Sequence, residues 1–287
     1  MHPRGLTPVE ARIDRAARRL LDRQGQRRSD AQRRLVELLV FGAKQAWACV
    51  FGGALIVLIL LSRLVYPADA AIARDDALTI AAVLVQVLLL AFRLESWREF
   101  RVILLFHVVG TAMEVFKTDV GSWTYDGEGV LRIGGVPLFS GFMYAAIGSY
   151  LVRVHNLFDL RFSRYPRRWL TALVAAGIYV NFFAHHWFWD ARWVLLALVV
   201  VLYARTVMHV RIHDTVLRMP ILVAFGLVAL FIWLAENVGT WAGAWRYPSQ
   251  LDGWHLVGPE KFVSWYLLML VSVVLVTWVY RPRAPGG

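Results

Sequence analysis

The chain contains 287 residues, of which 59% are apolar and 14% aromatic, and its 31 lysine and arginine residues against 20 acidic residues give a net charge of +11. Several apolar runs of about 20 residues are long enough to cross the roughly 30 Å of hydrocarbon in a membrane. This composition excludes an ordinary water-soluble protein and predicts an all-α, polytopic membrane protein, because helices satisfy their backbone groups without water. The single cysteine, Cys49, excludes a disulfide within the chain.

Residues 1–40 are predicted to form a basic amphipathic segment in the cytoplasm or at the membrane interface. Thr7 and Glu10 have the spacing of a helix capping box, and Ile13 and Leu20 would share one face of the helix that follows. Such a helix lies on anionic lipid headgroups or binds a protein partner. Neither alternative gives the segment a catalytic role.

Eight hydrophobic segments follow, and they define a membrane domain over residues 41–281, with a short cytoplasmic tail over residues 282–287. Each segment is long enough to form a transmembrane helix. The predicted spans are residues 45–62, 77–93, 100–116, 136–153, 168–185, 192–210, 219–239 and 262–280.

The positive charges predict the orientation of these spans. If the N-terminal segment, alternate connections and the tail share one side, that side holds 24 of the 31 lysine and arginine residues. Because cytoplasmic loops carry such an excess, both termini are predicted to lie in the cytoplasm, as in a multi-pass protein of the bacterial inner membrane. The basic residues are spread over many loops, which argues against a nucleic-acid partner and leaves the lipid bilayer as the predicted partner.

A motif occurs twice in the chain, with an offset of 122 residues. The two copies are Glu114-x6-Gly121-x-Trp123-x-Tyr125 and Glu236-x6-Gly243-x-Trp245-x-Tyr247. Each copy runs from the end of an apolar segment into a polar connection, so a carboxylate is placed at membrane depth twice. The sequence therefore predicts a parallel internal repeat centred on a buried acid, with each glycine allowing a tight turn after its helix.

Glu114 belongs to a polar stripe in the third span. His107, Thr111, Glu114 and Thr118 recur at steps of three or four residues, which places them on one helix face, with Lys117 one turn beyond Glu114. Because an ionised carboxylate in lipid costs several kcal/mol, Glu114 should face the protein interior and pair with Lys117 or with a group on another span. The alternative is a purely structural ion pair or packing hydrogen bond.

Two carboxylates on repeat-related helices suit acid and base roles, so Glu114 and Glu236 are the leading catalytic candidates. His107, Lys117 and His185 are further catalytic candidates. The candidate substrate-binding residues are Trp123, Tyr125, Asn181, Asn237, Trp245 and Tyr247. The tryptophans and tyrosines have an alternative interpretation as an interfacial aromatic belt.

His185 lies four residues after Asn181 on one face of the fifth span. Together with His107 and a glutamate it would make a three-ligand metal site. A hydrogen-bonded interfacial histidine is the alternative that the sequence favours, so neither a metal nor a cofactor is predicted.

A resemblance covers nearly everything after the N-terminal segment. The runs that carry it are Met113–Tyr125, Gly134–Gly141, Asn181–Asp190 and Glu236–Tyr247. They resemble the YoaT-like family of bacterial integral membrane proteins of unknown function. The resemblance implies a membrane fold of about eight spans and no assigned activity.

The glutamate motif followed by Gly135-Val136-Pro137-Leu138 is more distantly similar to membrane carotenoid hydratases and small lycopene cyclases. These families are held to protonate polyene double bonds with acidic side chains. The similarity implies Glu114 and Glu236 as the acids, while Trp123 departs from the tyrosine usual in the hydratase pattern.

Three functional hypotheses follow from these observations. The first is a membrane enzyme, of a lyase, hydratase or isomerase type, in which Glu114 and Glu236 exchange a proton with a lipid or isoprenoid in a cavity open toward the outer leaflet. The second is a proton-coupled transporter of a small molecule, since that activity also needs acids in the membrane. The third is a non-catalytic membrane scaffold.

Overall fold

The computed structural model describes residues 8–22, 30–212 and 215–285. The predicted cap residue Thr7 and the last two residues of the tail lie outside these ranges. The helices of the described residues are α1 (Pro8–Asp22), α2 (Asp30–Ala48), α3 (Val50–Val65), α4 (Arg74–Ala91), α5 (Trp97–Asp119), α6 (Phe139–Leu157), α7 (Arg168–Ala184), α8 (Arg192–Tyr203), α9 (Ile221–Trp241) and α10 (Glu260–Val279).

Each predicted span from the first to the eighth corresponds to one helix, α3 to α10, with ends that differ by a few residues. The sixth span is the exception, because the prediction of residues 192–210 is wrong in its second half. Helix α8 ends at Tyr203, and a strand follows over Val207–Arg211. The β-branched residues around this strand pack well in a sheet, and an apolar run of this length does not distinguish a strand from a helix.

The prediction of an all-α fold is therefore wrong in detail, although the protein is mostly helical. A two-stranded sheet joins β1 (Arg132–Ile133) to β2 (Val136–Pro137). A three-stranded antiparallel sheet has the order β3 (Arg161–Ser163), β4 (Val207–Arg211) and β5 (Val216–Pro220). The larger sheet lies at the C-terminal end of α6, on the side opposite the two glutamate motifs.

Two helices of the described residues, α9 and α10, are long and apolar enough to cross a membrane. Helices α2 and α3 meet this test only as a pair, and the chain bends by 63° between them. Helices α7 and α8 are apolar but shorter. Helix length and composition thus support membrane association and do not support the predicted count of eight transmembrane helices.

A buried ion pair holds α6 against the segment between α4 and α5. Arg153 Nη2 lies 3.1 Å from Glu95 Oε1, and both side chains are 1% exposed or less. Ser149 and Gln86 each donate a hydrogen bond to the same carboxylate. This cluster fixes the C-terminal half of α6, the helix that also contributes to the candidate site.

The start of α4 is hydrogen-bonded to the chain after α9 and to the loop that leads from α5 to α6. The Arg74 guanidinium donates to the carbonyl oxygens of Ala242 and Gly243, at the end of α9, with N–O distances of 2.9 and 3.1 Å. The Asp76 carboxylate accepts hydrogen bonds from the backbone of Val130 and Leu131, at 2.9 and 2.8 Å. One helix end therefore positions both the α9 turn and the loop that follows the α5 turn.

Candidate functional site

Helices α5 and α9 end in turns of the same type. Gly121 has a φ of +73° and Gly243 a φ of +68°, which confirms the prediction that these glycines turn the chain. The backbone bonds that close the turns are Gly121 N to Thr118 O and Ser122 N to Lys117 O in the first, and Gly243 N to Thr240 O and Ala244 N to Gly239 O in the second. The four bonds preserve the offset of 122 residues, whereas the larger prediction of a parallel internal repeat stays a prediction.

The two turns contact each other directly. Thr124 and Arg246, which are also 122 residues apart, exchange backbone hydrogen bonds of 2.9 and 3.0 Å as an isolated antiparallel bridge. Beside this bridge the rings of Trp123 and Tyr247 pack edge to face, with centroids 6.0 Å apart. The aromatic residues of one motif therefore reach into the other, and the two glutamates share one site.

Glu114 is 3% exposed and is surrounded by neutral donors. Its Oε2 accepts hydrogen bonds from Trp123 Nε1 and Tyr125 Oη, each at 2.7 Å. Its Oε1 accepts a third, from Tyr144 Oη on α6, also at 2.7 Å. Because three donors satisfy the carboxylate, it can remain buried without a cation in direct contact.

Glu236 is also 3% exposed and has a similar environment. Tyr247 Oη donates to its Oε1, and Trp265 Nε1 on α10 donates to its Oε2 at 2.7 Å. Trp245, the counterpart of Trp123, makes no such bond and instead packs its ring over Gly239. The tyrosine contact is thus common to both motifs, while the tryptophan contact of the first is replaced in the second by a residue from the next long helix.

Tyr144 and Trp265 are site residues that sequence reasoning missed. Tyr144 lies 30 residues after Glu114, and Trp265 lies 29 residues after Glu236, each on the helix that packs against its glutamate helix. Their rings are in contact, with centroids 6.4 Å apart. The sequence did contain a signal for them. Adding the motif offset of 122 residues to Tyr144 gives Tyr266, which directly follows Trp265.

An apolar cleft adjoins this aromatic pair. Helices α5, α6, α9 and α10 form its walls, and Tyr144 and Trp265 are part of its lining. The other lining residues are Phe106, Val109, Gly110, Met113, Ile147, Ile232, Leu268, Met269, Val271, Ser272 and Leu275. Two aromatic side chains therefore lie between this apolar cleft and the two buried carboxylates.

Lys117 does not pair with Glu114, so that option for the glutamate's partner is wrong. Its ammonium lies 2.9 Å from His186 Nε2 and 4.2 Å from the centroid of the Phe182 ring. Desolvation and the charge of Lys117 both lower the pKa of His186, so its imidazole is neutral near pH 7 and can accept this hydrogen bond. The contact brings the ends of α5 and α7 together.

Asn181 and His185 have local roles at the end of α7. The Asn181 amide donates to Asp190 at 3.1 Å and accepts from the backbone of Ala191 at 2.8 Å. His185 Nδ1 lies 2.9 Å from the carbonyl oxygen of Asn181. These bonds shape the connection to α8, and the structure does not bring either residue against a glutamate.

Asn237 also bonds to the backbone, donating to Trp233 O at 2.8 Å and accepting from Val257 N at 2.9 Å. It therefore holds the segment that leads into α10. Trp123, Tyr125 and Tyr247 are buried, which overturns their alternative interpretation as an interfacial belt.

His107 lies two turns before Glu114, where its ring packs against Gly141 and lies 4.5 Å from the ring of Phe142. Across residues 8–22, 30–212 and 215–285, no three side chains of the metal-binding types converge. The three-ligand site weighed for His107, His185 and a glutamate does not form.

Removing the Tyr125 hydroxyl is expected to lower the free energy of unfolding by about 1–3 kcal/mol, because Glu114 loses one of its donors inside the protein. Unfolding of Tyr125→Phe in mixed detergent micelles measures this change. The matched control is Tyr179→Phe, which removes a hydroxyl from a half-buried tyrosine on α7 and should change stability little. Equal effects of both substitutions would contradict the prediction.

These features define a class of protein, a mostly helical protein with apolar helices able to span a membrane and with two buried glutamates beside an apolar cleft. The chain belongs to the family described as "Protein of unknown function (DUF817)", which it matches over residues 37–273. "Uncharacterized protein YoaT" of Bacillus subtilis (strain 168) is 39% identical over 244 residues, which cover 85% of this chain and 92% of the relative. The predicted membership of the YoaT-like family is confirmed.

The crystal structure of a cross-linked MvINS trimer is similar to this chain, with a TM-score of 0.45 and 16% sequence identity. The match covers 66% of this chain and 98% of the MvINS chain. A likeness at this level says nothing about function. The resemblance to carotenoid hydratases and lycopene cyclases stays a prediction.

Proposed function

We propose that the protein is a membrane-embedded enzyme that uses Glu114 and Glu236 for acid and base chemistry on a lipid or isoprenoid. One observation carries the proposal. Tyr144 and Trp265 line an apolar cleft, and each donates a hydrogen bond to one of the two buried carboxylates. A ligand in the cleft would contact groups that are one hydrogen bond away from an acid.

The Tyr144 hydroxyl is the group through which a proton would move. The Tyr144 side chain lines the cleft and its hydroxyl donates to Glu114 Oε1, so the hydroxyl would give its proton to a ligand while it takes one from a protonated Glu114. An isomerisation of a double bond fits this arrangement, because it adds a proton at one carbon and removes one at another. Glu236 is close enough to Glu114 to interact with it electrostatically and would complete the exchange.

The membrane arrangement proposed here places α3 to α10 in the bilayer of the inner membrane as eight spans, with both termini in the cytoplasm and the cleft open toward the outer leaflet. Exposed leucine and valine side chains on several helices support it, including Leu84 and Val87 on α4, Leu104 and Val108 on α5, Leu173 on α7 and Leu198 on α8. Helix α8 has 12 residues and would cover about 18 Å, so the residues that flank it would have to complete the sixth span.

Lipid extracts from cells test the enzymatic proposal. A lipid or isoprenoid species should depend on the wild-type protein and disappear when it is replaced by the Glu114→Gln/Glu236→Gln double variant, because glutamine cannot exchange protons at neutral pH. Glu128→Gln is the matched control. Glu128 is an exposed carboxylate in the loop between α5 and α6, so its replacement should leave the lipid species unchanged. Identical extracts from all strains, with normal amounts of folded protein, would refute the proposal.

Proton-coupled transport is the second candidate, and the bend of 63° between α2 and α3 favours it, because transporters commonly use broken helices. Against it, α9 and α10, which hold Glu236 and Trp265, are continuous. Uptake of a solute into proteoliposomes that stops in the double glutamine variant would place transport ahead of enzymatic chemistry.

A further inference from the structure

The face of α5 that lines the cleft ends in a cation. Phe106, Gly110 and Met113 belong to the lining, and Lys117 continues the same spacing of three or four residues. The distance along the helix from Phe106 to Lys117 is about 16 Å. Glu114 lies between the apolar part of this face and the lysine.

The face of α10 opposite has the same order of chemistry. Trp265, Leu268, Ser272 and Leu275 line the cleft, and Lys261 lies one turn before Trp265 on the same face. From Lys261 to Leu275 the helix extends about 21 Å. Along both α5 and α10 the order is therefore the same: a lysine, then the depth at which Glu114 and Glu236 are buried, and then the apolar residues that line the cleft.

Neither lysine forms an ion pair with a carboxylate of the described residues, although Glu236 and Glu260 lie close enough to Lys261, and Asp190 to Lys117, to interact electrostatically. Lys261 Nζ lies over the rings of Tyr247 and Trp123, 4.2 and 5.7 Å from their centroids. Lys117 contacts His186 and Phe182 as described above. Among the ion pairs found within the described ranges, none involves either lysine.

The glutamates, in contrast, already have their donors from tryptophan and tyrosine side chains. Each ammonium carries three N–H donors, and the contacts above fill few of them. Neither lysine lines the cleft itself, and Lys117 is 3% exposed while Lys261 is half-buried. The hydrogen-bonding capacity left over beyond the two glutamates is that of cationic donors, which favours an oxygen-rich anion.

We infer that the ligand is an amphiphile with an anionic headgroup, such as a phosphate monoester of a long alkyl or prenyl chain, with its headgroup between Lys117 and Lys261 and its chain in the cleft. The inference rests on the proposed function, because it names the substrate class of the same site. It places the first carbons of the chain at the level of Tyr144 and Trp265, beside the two glutamates.

Titration calorimetry of the full chain in a nonionic detergent tests the inference, with decyl phosphate, decanol and inorganic phosphate as probes. Decyl phosphate should bind at least about tenfold more tightly than decanol, and inorganic phosphate should bind far more weakly than decyl phosphate. Lys261→Gln should remove most of the preference for decyl phosphate, and Lys261→Arg should keep it. Arg246→Gln is the matched control, because Arg246 is on the same rim but is paired with Asp126 at 3.1 Å.

Three results would overturn the inference: equal affinity for decyl phosphate and decanol, an unchanged preference in Lys261→Gln, or inorganic phosphate binding as tightly as decyl phosphate. Lys261 is half-buried at a helix start, so Lys261→Gln should fold, and Lys117→Gln provides the second variant. The Glu114→Gln/Glu236→Gln variant should still bind decyl phosphate. Lysine-dependent binding without any lipid change in cells would therefore reject the enzyme and leave the ligand class standing.

Discussion

Replacing Arg153 by methionine is expected to lower the free energy of unfolding by about 3–5 kcal/mol, because it leaves the Glu95 carboxylate buried without its cation. The Glu95 side chain is fully buried, and its remaining partners, Ser149 and Gln86, are neutral. Methionine fills a similar volume, so the loss should come mainly from the unpaired charge. Unfolding in mixed detergent micelles measures the change.

The double variant Arg153→Met/Glu95→Met is the control for this prediction. It removes both charges together, and replacing a buried ion pair by apolar side chains is often neutral or stabilising. Most of the lost stability should therefore return, and the two substitutions should be strongly non-additive. Additive losses in the double variant would mean that packing, and not charge, explains the effect of Arg153.

Gly110→Ala is expected to have the second largest effect. A β-carbon at Gly110 would overlap the ring of Tyr144, which is held by Glu114 and by contact with Trp265. Overpacking of this kind costs about 1–3 kcal/mol, and displacement of the Tyr144 hydroxyl removes a hydrogen bond worth about 1 kcal/mol. Unfolding measurements should show the sum of both losses.

Gly53→Ala is the matched control, because the same change on α3 meets no atom within 4 Å and alanine is the better helix former. It should leave stability unchanged or slightly higher. If Gly110→Ala also had no effect, Tyr144 would be free to move, and its proposed role between the cleft and Glu114 would lose its basis.

Much of the site could be predicted from residues that are near each other in sequence. The turn glycines and the tyrosines at 11 residues from each glutamate belong to one repeated motif, and the structure brings them together. Hydrophobic runs also located the helices, because burial and lipid exposure both select apolar residues over the length of a helix.

The rest depends on how helices pack, which the spacing within one helix does not reveal. Tyr144 and Trp265 reach their glutamates only because α6 packs along α5 and α10 along α9. The partner of Lys117 was predicted wrongly for a related reason. Proximity on one helix favoured Glu114, but His186 from another helix end takes the ammonium while aromatic donors satisfy the glutamate.

The position of Trp265 has a consequence for the order in which the protein matures during synthesis. Glu114 receives all three of its donors from residues made no more than 30 positions later. Glu236 obtains its second donor only when α10 has emerged, and that helix also closes the cleft. In a ribosome-bound chain that stops before Trp265, Glu114 therefore has all of its hydrogen-bond donors, while Glu236 still lacks one. Insertion of α10 is the step that completes the environment of Glu236.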